Sequence, residues 1–86
     1  MLLSASQVKR RQPVRELQQK VIGDRRVRLL VNQTGSYTVT IEVLGPQGAW
    51  EDISLEHDAN LRQREASAVY RLRCTEQLAR AFAWGE

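Results

Sequence analysis

Apolar residues change their spacing along this chain, and each change predicts a different element. Residues 1–12 show no period and end in Lys9-Arg10-Arg11-Gln12, which reads as a flexible basic arm ahead of a single domain over 13–86. From Pro13 the apolar positions Val14, Leu17 and Val21 fall at i, i+3 and i+7, the stripe of a short helix over 13–22. Pro13 suits the first helical position, where its missing N–H costs nothing. Glu16 and Lys20 form an i,i+4 pair oriented with the helix dipole, and Gly23 suits the left-handed residue that ends a helix.

The spacing then shortens to two. Val27, Leu29 and Val31 share one face of a strand over 25–31, with Arg26, Arg28 and Leu30 on the other. Asn32-Gln33-Thr34-Gly35 is a turn. Tyr37, Val39, Ile41 and Val43 alternate with Thr38, Thr40, Glu42 and Leu44, the strongest strand pattern in the chain. Gly45-Pro46-Gln47-Gly48 predicts a type I turn, and residues 49–55 a third strand with Ile53 and Leu55 pointing inward. Short turns between neighbouring strands make an antiparallel meander.

Beyond Leu55 there is no proline, and no glycine until Gly85. Asp58 is placed to cap a long helix, with an apolar stripe of Leu61, Ala68, Leu72, Ala79 and Phe82 widened by Val69. Tyr70, Leu72 and Cys74 also alternate with Val69, Arg71 and Arg73. A fourth strand over 66–74, followed by a shorter helix capped by Thr75, therefore stays open, as does a helix broken near residue 74. The fold class predicted is α+β: a small single domain in α-β-β-β-α order, a three-stranded antiparallel meander with helices on one face, the last of them long.

Charge sharpens this picture more than composition does. The 86 residues carry a formal +3, with eleven of the thirteen basic residues arginine. Residues 9–28 hold eight basic residues against two acids, a net +6, while residues 29–86 sum to −3. A basic arm running into a basic strand is the electrostatic footprint of phosphate-backbone binding. The candidate nucleic-acid-binding residues are Lys9, Arg10, Arg11, Arg15, Arg25, Arg26 and Arg28. A second set, Leu30, Leu44, Trp50 and Trp84, is the candidate protein interface. Leu30, Leu44 and Trp50 share the outer parity of the strands, and tryptophan is a frequent interface anchor.

The order of elements, with Arg62-Gln63-Arg64-Glu65-Ala66 opening the last helix and Glu16 in the first, resembles in outline the double-stranded RNA-binding domain. That family carries a Gly-Pro-x-His-type loop where this chain has Asn32-Gln33-Thr34-Gly35. It approaches its lysine cluster through glycines where this chain has Glu56-His57-Asp58. The resemblance is one of element order, not of motif, and assigns no residue a role.

Catalytic chemistry finds few residues. His57 is the sole histidine and Cys74 the sole cysteine, so neither an intrachain disulfide nor a cysteine-based zinc site can form. No phosphate-binding loop, dinucleotide fingerprint or metal-ligand spacing is present. Cys74 reads as a buried, inert thiol. The single cysteine, and an N-terminus whose basic residues follow its apolar run, point to the cytoplasm, and the small size and arginine bias to a bacterial, phage or plasmid setting. The expectation is a non-enzymatic regulatory protein without cofactor or metal, binding nucleic acid through its arm and first strand. The alternative is an adaptor or inhibitor that binds a host protein's acidic surface, or itself, through an apolar sheet face.

Overall fold

A computed structural model of the chain describes residues 14–85. Val14–Ile22 (β1), Arg25–Asn32 (β2), Tyr37–Leu44 (β3) and Trp50–Asp52 (β4) form one antiparallel sheet in sequential order. A 3-10 turn at Glu56–Asp58 leads to one helix, Gln63–Gly85 (α1), which packs on a single face of the sheet. The fold is α+β and the meander is present. The sheet has four strands rather than three, and the order is β-β-β-β-α. That order also removes the element-level resemblance noted above. The arm over residues 1–12 lies outside the described residues.

The predicted first helix is strand β1. The deciding signal is Gly23-Asp24, a two-residue connection that pairs Ile22 with Arg25. Gly23 sits at φ +63, as the first central residue of a type II′ hairpin turn requires. The stripe of Val14, Leu17 and Val21 has no partner to bury against, and all three are exposed. Pairing instead satisfies the outer backbone edge of β2 along its whole length. One irregularity interrupts the ladder. Glu16 faces Leu30 and Gln18 faces Leu29, so Leu17 is an extra residue in a β-bulge.

β2 and β3 follow the sequence reading closely. Val27 faces Ile41 and Leu29 faces Val39, which places the apolar residues of both strands on the helix side. Asn32 Oδ1 organises the connecting turn, accepting from the Thr34 N–H at 3.0 Å, the Thr34 hydroxyl at 2.7 Å and the Ser36 N–H at 3.0 Å. β4 is shorter than predicted. Ile53 and Leu55 lie just past it and are exposed, not turned inward.

α1 is unbroken through residues 73–75, which closes the alternative of a fourth strand over 66–74. Asp58 does not cap it. The helix begins after Arg62, whose backbone N–H is bonded at 3.0 Å by Glu65 Oε1, half of a capping box. The core joins Ile22, Val27, Leu29 and Val39 of the sheet to Ala66, Tyr70 and Cys74 of the helix, with Tyr37, Leu61, Val69 and Ala81 packed around them. The predicted apolar stripe is thus largely wrong. Leu61 and Val69 do face the core, but Ala68, Leu72, Ala79 and Phe82 point away from it. The inward face was hidden because Arg73 and Gln77 belong to it, both buried.

Candidate nucleic-acid interface

The basic residues of the first half of the chain separate into two groups by strand face. Arg26 and Arg28 face away from the helix, on the open side of the sheet, together with Glu42. Arg26 donates through Nε to Glu42 Oε1 at 2.6 Å, and Nη2 lies the same distance from that oxygen. Arg28 reaches Glu16 Oε1 at 2.8 Å and Glu42 Oε2 at 3.3 Å. Burial works against the Arg28 charge, but the bonds to Glu16 and Glu42 outweigh it and raise its pKa. Arg26 also lies over the Trp50 ring, 4.6 Å from its centroid. The result is a chain of alternating charge, Glu16–Arg28–Glu42–Arg26, whose cations are already neutralised.

Arg25 faces the helix side of the sheet, beside Asp24 at 3.9 Å, and donates to Gln77 Oε1 at 3.4 Å. Its Nε is buried without a hydrogen-bond partner, so Arg25 is turned inward and only loosely held. Arg15 and Lys20 differ. Arg15 lies opposite Val31 and Lys20 opposite Val27, so both are on the helix side of β1. The helix covers β2 and β3 more fully than β1, and the overhanging strand stays exposed from Val14 to Val21. A groove runs between β1 and α1, lined by Gln18, Gln19, Lys20, Tyr70, Arg71, Cys74, Thr75 and Leu78. Among the described residues, no carboxylate lines it. Among the described residues, no ion pair or hydrogen bond engages the side chain of Arg15, Lys20 or Arg71.

The seven basic residues singled out in the sequence are therefore not one patch. Arg26 and Arg28 are on one face, and Arg15 and Arg25 on the other. Lys9, Arg10 and Arg11 lie outside the described residues. Lys20 and Arg71 complete the groove. Lys20 counted toward the sequence's charge asymmetry, and only the reassignment of β1 shows its direction.

The apolar set is also divided. Leu44 stands directly opposite Trp50 on the open sheet face. Leu30 pairs with Thr38, six residues along β3 from Leu44 and so about 20 Å away. The Arg26–Glu42–Arg28 cluster lies between them, and no continuous apolar patch joins the three. The side chain of Trp84 lies outside the described residues.

One arginine of the last helix has a role that sequence reasoning missed. Arg73 grips Asp58 in a bidentate pair, Nε to Oδ2 at 2.8 Å and Nη2 to Oδ1 at 3.1 Å. Asp58 is 1% exposed. Arg73 Nη1 also reaches Glu76 Oε1 at 3.0 Å. The bond to Asp58 is the main cause that raises the Arg73 pKa, against its burial. This pair ties the 3-10 turn to the middle of α1. The only signal for it in the sequence is an arginine on the inward side of a helix, and that side was not yet known.

The groups with catalytic potential stay dispersed. His57 is largely exposed, 3.7 Å from Asp58 Oδ1 and 3.4 Å from Arg73 Nη2. Cys74 is buried in the core beside Tyr70. Burial, with the Cys74 thiol adjacent, pushes the Tyr70 hydroxyl up to about 12. Among the described residues no three potential ligands gather as a metal site, and no helix is long and apolar enough to cross a membrane. Comparison with protein-family models, with curated proteins and with solved structures found no match to this chain.

Proposed function

We propose that the protein is a small non-enzymatic regulatory protein that binds nucleic acid along its phosphate backbone. Lys9, Arg10 and Arg11 act together with Arg15 and Lys20 of β1, and Arg71 faces them across the groove. The single observation that carries this reading is the groove itself: cations without carboxylate partners on a strand that follows a basic segment. Phosphate binding releases counterions in proportion to the cations used, so affinity falls steeply with salt. Arg26 and Arg28 play no part, because Glu16 and Glu42 already hold them.

Titration of the full chain with single- and double-stranded oligonucleotides at two salt concentrations tests the reading. The expected result is binding at low salt that weakens by roughly 0.9 in the logarithmic salt slope for each phosphate neutralised on a duplex. Arg15→Ala and Lys20→Ala each reduce that slope, and Arg28→Ala leaves it unchanged. Absence of binding at low salt defeats the proposal.

A further inference from the structure

The outward side of α1 carries a pattern that the core does not explain and that only Thr75 shares with the groove lining. Ala68, Leu72, Thr75, Ala79 and Phe82 are spaced by four, three, four and three residues, the seam of a two-helix coiled coil. All five are exposed and none is charged. Phe82 at 74% and Leu72 at 50% are among the most exposed large apolar side chains described. The one polar member is disguised. The Thr75 hydroxyl donates to the Arg71 carbonyl one turn back at 3.0 Å, which leaves its methyl for the seam. On an ordinary surface helix this face is the one that carries charge.

The flanks say what covers it. Arg64, Arg71 and Leu78 run along one side of the seam, and Val69, Glu76 and Ala83 along the other. In a parallel pair of helices a residue on the first flank meets the partner's residue five positions later on the second. That offset places Arg64 against Val69 of the other copy, which packs on the core and adds nothing, but it also places Arg71 against Glu76 and Leu78 against Ala83. These two matches are favourable, and each occurs twice by symmetry, so the dimer draws Arg71 from the groove to Glu76 and leaves Arg15 and Lys20 to phosphate. Glu76 is steadied by Arg73 Nη1 yet its side chain stays 48% exposed, so its carboxylate can take a second donor. An antiparallel pairing of the same seam, centred on Thr75, lays each flank against itself, with Glu76 toward Glu76 and Arg71 toward Leu78, and makes no ion pair across it.

We propose that this face is an interface between two copies of the chain, with their α1 helices parallel and Leu72 and Phe82 in the seam. The seam spans about 21 Å, three to four turns. It falls at the small end of specific interfaces, so the dimer is weak, micromolar or looser.

Sedimentation equilibrium of the full chain without nucleic acid tests this, which keeps its outcome separate from the oligonucleotide titration. The expected result is a concentration-dependent monomer–dimer equilibrium, with Leu72→Glu raising the dissociation constant at least tenfold. Leu72 lies outside the core, so the Leu72→Glu variant keeps the parent circular dichroism spectrum. An Ala68→Cys variant oxidises to a covalent dimer, because parallel packing brings position 68 against itself. A strict monomer at millimolar concentration overturns the proposal, and so does a dimer indifferent to Leu72→Glu. A dimer that Ala68→Cys fails to cross-link overturns the parallel arrangement.

Discussion

The two faces of the sheet hold the same kind of residue in opposite circumstances. On the open face, Arg26 and Arg28 share the carboxylates of Glu42 and Glu16. On the helix side of β1 lie Arg15 and Lys20, and Lys20 lines a groove that has no carboxylate among its described lining residues. In sequence these four are one basic run. The fold sorts them, because side chains alternate between faces and the neighbouring strand supplies acids to only one face. A charge count along the chain is a statement about composition. Which cations are available to a partner is a statement about strand pairing.

The contrast between paired and unpaired cations can be broken at its strongest point first. Arg73→Ala leaves Asp58 buried and unpartnered, and is expected to lower stability by about 3–5 kcal/mol. Urea denaturation measures this, and replacing Asp58 and Arg73 together by apolar residues of similar size should recover much of the loss. Next comes binding. The double variant Arg15→Ala, Lys20→Ala should lose close to two units of logarithmic salt slope on duplex DNA, while its unfolding free energy stays within about 0.5 kcal/mol of the parent. A larger stability loss would mean that these side chains also hold the fold together.

The third change sharpens the comparison by reversing it. Glu42→Gln frees Arg26 and part of the Arg28 guanidinium, and should add salt-dependent oligonucleotide binding to the open face. Arg28→Ala should cost only about 0.5 kcal/mol, because the pair is partly exposed and screened. The smallest effect at neutral pH belongs to Tyr70. Burial pushes its hydroxyl up to about 12, above the ordinary tyrosine value of about 10, so its contribution is complete below pH 10 and is lost as pH rises toward 12. Spectroscopic titration should show one late phenol that disappears in Tyr70→Phe. A phenol ionising near pH 10 in folded protein would contradict the burial.

What was legible in the sequence follows from what local pattern can encode. β2 and β3 alternate cleanly because they are central strands with one face on the core, and their inward residues were identified from parity alone. β1 was misread because it is an edge strand whose only buried residue is Ile22, so hydrophobicity carried no period of two. Its true signal was the Gly23-Asp24 turn, which was assigned to a helix end instead. The helix was recognised but turned the wrong way. Its largest exposed apolar residues, Leu72 and Phe82, drew the stripe outward, while Arg73 and Gln77 made the inward face look polar. Their partners, Asp58 and Arg25, come from distant segments and cannot be inferred from spacing.

The bulge at Leu17 has a consequence for which side of the sheet Arg15 occupies. Arg15 and Lys20 are five residues apart, an odd number, and in an uninterrupted strand they would point to opposite sides. The extra residue resets the phase, so that Arg15 faces Val31 and Lys20 faces Val27. Deleting Leu17 while the pairing after it holds would change none of the charged side chains and still turn Arg15 over to the far side, out of reach of the groove. A single insertion or loss in an exposed strand is usually neutral to a fold. In this strand it acts as a phase switch for the residues that precede it.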